Sequence, residues 1–111
     1  MPSINGFTVV PYGDPALATY AVGDRGARLS VRREVAPLLV GFMTDYANMV
    51  EPIMPGNSWG HSPRQIPGST SWSFHAPGIA VDLNSHWHPE YKRGTFRLDQ
   101  VREIRRLLAK Y

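Results

Sequence analysis

The segment from residue 75 to residue 84 constrains the fold of this chain more than any other. Three aliphatic residues alternate with small or polar residues after a Pro-Gly pair: Ile79, Val81 and Leu83 against Ala80, Asp82 and Asn84. A period of two predicts a short strand over residues 78–84, with one apolar face. Pro77 and Gly78 predict a turn just before it, and His75 lies at the entrance of that turn. We therefore expect His75 and Asp82 on one side of the strand.

Histidine nitrogen and aspartate oxygen are both zinc ligands, at about 2.0–2.2 Å from the ion. The pair His75 and Asp82 can therefore hold a metal ion. The same two residues also fit a turn histidine and a solvated aspartate at the end of a strand, with no metal.

The full spacing Ser73-x-His75-x-x-Gly78-x-Ala80-x-Asp82 has five fixed positions within ten residues. It resembles the signature of the zinc D-alanyl-D-alanine carboxypeptidases and L-alanyl-D-glutamate peptidases. That family includes vancomycin-resistance D,D-peptidases and many phage peptidoglycan hydrolases. The resemblance implies that His75 and Asp82 are the first two ligands of a Zn²⁺ ion. It also implies that the substrate is a peptidoglycan stem peptide containing a D-amino acid.

The resemblance extends to an arginine that precedes the motif before a Gly-Ser-Thr-Ser run. Arg64 matches this position and is expected to face the cleft, where it grips a substrate carboxylate or the developing oxyanion. A guanidinium suits that task because it has five fixed donors and a permanent charge. A surface arginine paired with a nearby carboxylate is the alternative. Ser73 and Asn84 are expected to lie behind the ligands and orient His75 or Asp82.

The resemblance, which runs from about residue 35 to residue 111, also predicts a missing part. In the family, a strand after the second helix carries the third zinc ligand, a histidine, and an acidic general base. The sequence reaches Tyr111 before such a segment, so we expect two ligands where a catalytic zinc site has three. Among the other histidines, His88 is the first candidate for a third ligand and His86 the second, although Ser85, three positions before His88, is no base. His61 is expected on a loop or strand surface.

Two helices are predicted from apolar residues at helical spacing. The first lies within residues 30–50, with Pro37 in its first turn or at a kink. Its apolar stripe is Val35, Leu38, Leu39, Phe42, Tyr46, Met49 and Val50. The second spans residues 98–110, with Thr95 as its N-cap. Its stripe is Leu98, Val101, Ile104, Leu107 and Leu108. Short strands are expected at residues 7–10 and 17–22.

Composition bounds these expectations. The chain has 111 residues, 42% of them hydrophobic, which fits a single domain over residues 1–111 with one core. There is no cysteine, so disulfides and thiolate metal sites are excluded. No apolar run reaches the roughly 18 residues of a membrane span, and the first residues do not have a signal-peptide pattern. The net charge of +3 suits a polyanion such as cell wall. Nucleic acid is not favoured, because aromatic and basic residues are not interleaved.

The predicted fold is therefore α+β, a small antiparallel sheet packed against two main helices, as in the zinc D,D-peptidases but without the C-terminal closing strand. The predicted function is a zinc D,D-carboxypeptidase or endopeptidase domain of a phage lysin or tail. It would act at the bacterial cell wall or in the periplasm, or reside in the virion beside other virion proteins. The alternative is a catalytically incomplete virion or cell-wall-binding component of the same fold. The residues do not select among the possible peptidoglycan bonds.

Overall fold

A computed structural model describes residues 2–111 of the chain. In chain order, its elements are β1 (Ser3–Ile4), β2 (Phe7–Thr8), β3 (Leu17–Val22), β4 (Ala27–Arg32), a 3₁₀ turn (Arg33–Val35), α1 (Ala36–Met49) and α2 (Leu98–Lys110). The strands form two antiparallel pairs, β1 with β2 and β3 with β4. The predicted α+β class is confirmed, and the chain between α1 and α2 is almost entirely loop.

The β3–β4 hairpin forms one side of the core. Its register runs from Leu17 opposite Arg32 to Val22 opposite Ala27, and a turn with glycines at both ends joins the two strands. Side chains alternate between buried and more exposed along β4 from Ala27 to Val31, as expected for a sheet with one covered face, whereas β3 buries only Leu17 and Val22 at its two ends. The strand predicted at residues 17–22 is confirmed. The strand predicted at residues 7–10 is regular only at Phe7–Thr8.

Helix α1 begins at Ala36, inside the predicted range, and it buries only Tyr46 of the predicted stripe. Pro37 lies in the first turn, where a missing N–H costs little. Residues 30–32, which the predicted helix range included, belong to β4. The buried face carries Ala36, Met43 and Tyr46, whereas the predicted stripe residues Leu38 and Met49 are exposed. The stripe was wrong there because the hairpin and α2 cover only one side of the helix.

The core is a cluster that joins the hairpin, α1, the loop after α1 and α2. Its most buried members are Val22, Ala27, Leu29, Met43, Ile53 and Leu107. From α2 only Leu107 is fully buried among the predicted stripe residues, while Leu98 and Leu108 are 65% and 62% exposed. The predicted stripe of α2 is therefore wrong at those two positions.

The start of α2 is fixed by Gln100 and not by Thr95. The Gln100 side-chain oxygen accepts a hydrogen bond from the Arg97 backbone N–H at 2.9 Å. Its amide nitrogen donates to the Val50 carbonyl at 3.2 Å, which ties the beginning of α2 to the end of α1. The predicted N-cap at Thr95 is wrong, because the helix begins at Leu98.

The strand predicted over residues 78–84 is not a regular strand. Only Asp82 pairs, in an isolated antiparallel bridge with Trp59. The pairing does not propagate because Gly60 and His61 turn towards β4, where the His61 N–H donates to the Ser30 carbonyl at 2.7 Å. The prediction that a sheet carries residues 78–84 and packs them against the first helix is therefore wrong. Neither helix of the described chain is long and apolar enough to cross a membrane.

Candidate metal centre

A cavity of about 620 Å³ lies among the loops that connect α1 to α2. Its walls bring together residues from distant parts of the sequence: Trp59, Arg64, His75, Val81, Asp82, Leu83, Ser85, His88 and Glu90. Three of the predicted site residues, Arg64, His75 and Asp82, therefore share one cavity. Ser73 and Asn84 do not line it and are buried behind it.

The ring of His75 is oriented by a backbone carbonyl. Its Nδ1 lies 2.7 Å from the Gly60 carbonyl oxygen. Because a carbonyl can only accept, Nδ1 carries the hydrogen, and a neutral ring then presents the Nε2 lone pair. A backbone carbonyl behind the ring is the usual arrangement for a metal-binding histidine.

Gly60 reaches that position because it has no side chain. A Cβ on Gly60 would lie 2.2 Å from the Ser30 carbonyl oxygen of β4. No side chain fits in that gap, so the close approach of the loop to β4 requires glycine at position 60. The hairpin thereby sets the position of the carbonyl that orients His75.

Asp82 presents its carboxylate to the same point. Its backbone exchanges hydrogen bonds of 2.9 and 2.8 Å with Trp59. Its Oδ2 accepts a hydrogen bond from the Trp59 indole N–H at 3.0 Å and lies 3.3 Å from His75 Nε2. The predicted proximity of His75 and Asp82 is confirmed.

His75 Nε2 and Asp82 Oδ2 lie 3.3 Å apart without forming a hydrogen bond. With Nδ1–H committed to Gly60, a neutral ring leaves Nε2 an acceptor like Oδ2, so one cation can bind both atoms. Two ligands at about 2.1 Å from a tetrahedral ion lie about 3.4 Å apart. The observed 3.3 Å therefore fits two ligands of one zinc ion.

The predicted supporting residues act differently from expectation. Ser73 Oγ accepts from the backbone N–H of His75 at 3.2 Å, so it fixes the backbone and not the ring. Asn84 does not hydrogen-bond to the Asp82 carboxylate. It adopts a left-handed conformation with φ 52°, and its amide binds Met54 N–H, the Pro52 carbonyl and Glu51. The prediction that the Asn84 side chain orients His75 or Asp82 directly is therefore wrong.

Arg64 is held by its backbone and leaves its head group unpaired. Its carbonyl accepts from the Ser73 N–H at 3.0 Å, which joins it to the segment before His75. Within residues 2–111, its guanidinium makes no hydrogen bond or ion pair. An exposed guanidinium at the cavity wall can therefore receive an anionic group.

His88 lines the cavity, but both of its nitrogens are engaged elsewhere. Nδ1 lies 2.8 Å from Thr95 Oγ1, and Nε2 lies 2.7 Å from Glu51 Oε2. The ring stacks on Phe96 with centroids 3.6 Å apart. Over residues 2–111, no three side chains of His, Cys, Asp or Glu are grouped to hold one ion. His88 therefore does not extend the His75–Asp82 pair in this structure.

Two further residues differ from the sequence expectation. His61 is buried, not on a surface, and its Nε2 lies 2.8 Å from the Val10 carbonyl oxygen. Glu51 was not singled out from the sequence at all, yet its side chain is only 10% exposed and is bonded to three neighbours. Burial, together with the neighbouring Glu51 carboxylate, raises the pKa of the Tyr46 phenol, so Tyr46 stays a donor. Glu51 directly precedes Pro52, a position that gives no sign of burial.

Comparison with known proteins gives this chain no relative. No protein-family model, no curated protein and no solved structure matches it.

Proposed function

We propose that this chain is a zinc metallopeptidase domain that cleaves a D-amino-acid-containing bond in peptidoglycan stem peptides. The observation that carries the proposal is the pair of acceptors, His75 Nε2 and Asp82 Oδ2, which lie 3.3 Å apart in the lining of one cavity. The proposal includes the finer fold assignment, a zinc D,D-peptidase-like fold, and a phage lysin or tail protein acting at the bacterial cell wall.

The donor set supports zinc. One imidazole nitrogen and one carboxylate oxygen, without cysteine, match the ligands of hydrolytic zinc sites. The Gly60 carbonyl and the Trp59 indole fix these two donors from behind. A bound zinc ion would supply Lewis acidity and an activated water to the peptide bond.

The remaining work falls to residues of the chain itself. Arg64, unpaired at the cavity wall, binds a substrate carboxylate or the oxygen that gains charge during attack. Trp59 holds Asp82 in place through both its backbone and its indole N–H. The His75–Asp82 pair supplies neither a third ligand nor a general base.

A second candidate is a virion or cell-wall-binding component with the same fold and no catalysis. The observation that favours it is the state of His88, whose two nitrogens are bonded to Thr95 and Glu51. With His88 unavailable, the described residues supply two zinc ligands, and a catalytic site has three plus water.

The first test measures zinc binding by titration calorimetry and by the visible spectrum of a Co²⁺-substituted sample. Wild-type protein is expected to bind one ion. His75→Ala and Asp82→Asn are expected to lose more than the roughly 10–100-fold in affinity that outer-shell changes cost. His86→Ala is the matched control, because His86 is exposed and outside the cavity lining. Equal affinity in His75→Ala and wild type would refute the site.

A second assay separates the enzyme from the binding component. Purified peptidoglycan is incubated with zinc and with a polypeptide in which a segment bearing a histidine and an acidic residue follows Tyr111, and both released peptides and sedimented protein are measured. Co-sedimentation without peptide release supports the binding component. Release that depends on zinc and on Arg64 supports the peptidase, and Arg64→Lys is expected to lower it because lysine cannot form the two-donor contact.

A further inference from the structure

One oxygen atom of Glu51 joins three segments of the chain. Glu51 Oε2 accepts hydrogen bonds from the Tyr46 hydroxyl at 2.9 Å and from Asn84 Nδ2 at 2.8 Å, and it contacts His88 Nε2 at 2.7 Å. Its side chain is 10% exposed. A buried carboxylate is costly unless its neighbours satisfy it, so this arrangement holds all three partners in place. We call these four residues the Glu51 cluster.

The Asn84 contact acts on the chain just after Asp82. Asn84 is fully buried, and its side chain also accepts from the Met54 N–H and donates to the Pro52 carbonyl. Its backbone N–H donates to Ser58 Oγ at 2.9 Å. The chain is thus anchored two residues beyond Asp82, at a left-handed residue that ends the extended segment.

The anchor at Asn84 adds to the other contacts of the Asp82 segment, which are the packing of Val81 and Leu83 on the core and the bond from the Ser85 N–H to the Asn57 carbonyl at 2.8 Å. Apart from the single bridge with Trp59, the segment forms no regular strand pairing. A regular sheet would fix the direction of the carboxylate through several neighbouring pairs. Here the bridge fixes one point, and the Asn84 anchor fixes the next.

The His88 contact acts on another part of the cavity lining. His88 is held by Glu51 on one side and Thr95 on the other, with its ring stacked on Phe96. Its backbone N–H also donates to the Asn84 carbonyl at 3.0 Å. The wall that carries Ser85, His88 and Glu90 is therefore attached to the same carboxylate as the segment of Asp82.

We propose that Glu51 is a positioning residue for the metal pair. Through Asn84 it sets the place of Asp82 relative to His75, and through His88 it sets the part of the cavity lining that carries Ser85, His88 and Glu90. It does not reach the ion or the substrate. The inference rests on the proposed function, since it concerns the geometry of the same pair.

The test compares variants of the full 111-residue protein. Glu51→Gln keeps the shape of the side chain but removes its charge, which weakens each bond that Glu51 accepts. Asn84→Gly removes the link between Glu51 and the segment of Asp82, while glycine still accepts the left-handed backbone. Tyr46→Phe is the matched control, because it removes a donor to the same oxygen without touching residues 84–88.

Two measurements are made on each variant. The first is Zn²⁺ affinity, expected to fall about 10–100-fold in Glu51→Gln and Asn84→Gly and less than about threefold in Tyr46→Phe. The second is the ¹⁵N NMR spectrum of the metal-free protein, read at the His75 ring and the Asp82 amide. These signals are expected to shift in the first two variants and to stay in place in Tyr46→Phe.

The outcomes separate the two proposals. If wild-type protein binds no zinc, the proposed function fails, and the NMR comparison alone then supports or overturns the positioning by Glu51. If wild type binds zinc and both Glu51→Gln and Asn84→Gly bind it equally well, the positioning is overturned. An equal loss in Tyr46→Phe also overturns it, because the effect would then be one of general stability. If Glu51→Gln does not fold, Asn84→Gly decides the question.

Discussion

Gly60 links the hairpin to the candidate metal centre, because it packs against Ser30 of β4 and its carbonyl oxygen contacts His75 Nδ1. In Gly60→Ala, the new Cβ meets the Ser30 carbonyl at 2.2 Å, so the backbone has to move and the carbonyl leaves His75 Nδ1. We expect a loss of about 1–3 kcal/mol in the free energy of unfolding. We also expect a changed ¹⁵N signature of the His75 ring. Urea unfolding and NMR measure the two effects.

Gly56→Ala is the control for that prediction. Gly56 has φ +80° with open space around its Cβ position, so alanine costs about 1–2 kcal/mol of backbone strain and meets no neighbour. Its His75 signal is expected to match that of wild type. An unchanged His75 signal in Gly60→Ala would contradict the assignment of Gly60 as the orienting group.

At single positions, the sequence predicts the proximity of His75 and Asp82 better than it predicts the residues that hold them in place. The spacing of His75 and Asp82 placed them together, and they lie 3.3 Å apart. Gly60 and Glu51 could not be found in the same way. The first acts through a carbonyl whose direction depends on contact with β4, and the second is buried against Tyr46, five residues before it, and against Asn84 and His88, 33 and 37 residues after it. Neither dependence leaves a local pattern.

Two neighbouring leucines of α2 differ sharply in burial. Leu107 is fully buried in the core and Leu108 is 62% exposed. Leu107→Ala is therefore expected to cost about 2–5 kcal/mol in the free energy of unfolding, and Leu108→Ala about 0.5 kcal/mol or less. Urea denaturation of the two variants measures both values. Similar losses at the two positions would mean that α2 packs on a different face.

The C-terminal end of α2 is tied to α1 by a pH-sensitive contact. Hydrogen bonds from the Tyr111 hydroxyl at 2.6 Å and from Lys110 Nζ at 2.9 Å lower the pKa of Asp45. Because the folded pKa lies below the unfolded one, the contact stabilises the fold above the ordinary carboxyl pKa of about 3.9. That contribution is lost as pH falls through the lower, folded value.

The variant Asp45→Asn tests this contact. Thermal unfolding midpoints of wild type and Asp45→Asn are expected to differ near neutral pH and to converge below about pH 3.9. A difference that stays constant down to acidic pH would show that the carboxylate charge of Asp45 does not contribute.

Element boundaries followed the sequence where the signal is local. Pro37 lies in the first turn of α1, one of the two places expected for it, and the short strand expected at residues 17–22 is β3. The alternation at residues 78–84 also looked like a strand, but a strand requires a partner along its length. The chain around Trp59 offers one paired residue before it turns towards β4. Alternation of apolar and polar residues indicates which side chains are covered, and it does not indicate whether a neighbouring strand is present to pair with the segment.

In the molecule as a whole, the strands and helices form most of the core, and the loops form the cavity. The β3–β4 hairpin, α1 and Leu107 of α2 supply most of the buried apolar side chains. The loops between α1 and α2 supply the whole lining of the cavity and contain no regular element. Polar contacts attach those loops to the regular part, namely the bond from the His61 N–H to the Ser30 carbonyl of β4 and the bond from the Tyr46 hydroxyl of α1 to Glu51. No residue of the hairpin or of α1 lines the cavity.

The number of ligands decides what this molecule can do as a unit. The described residues bring two zinc donors together, and a catalytic site uses three plus water. With one imidazole fewer, the ion is held more weakly, and without a general base a further factor of about 10²–10⁴ in rate is missing. We therefore expect the 111-residue polypeptide to release little or no peptide from purified peptidoglycan in the presence of zinc.

A polypeptide in which a segment bearing a histidine and an acidic residue follows Tyr111 is expected to release peptide, and His75→Ala in that longer form is expected to abolish the release. The physical reason is that the added histidine completes the ligand set and the acidic residue supplies the base, while His75 remains indispensable to hold the ion. Product release is followed chromatographically with and without a chelator. Robust, chelator-sensitive cleavage by the 111-residue polypeptide alone would contradict this expectation. In that case His88 would have to leave Glu51 and Thr95 to join His75 and Asp82, and the variant His88→Ala would lose the activity.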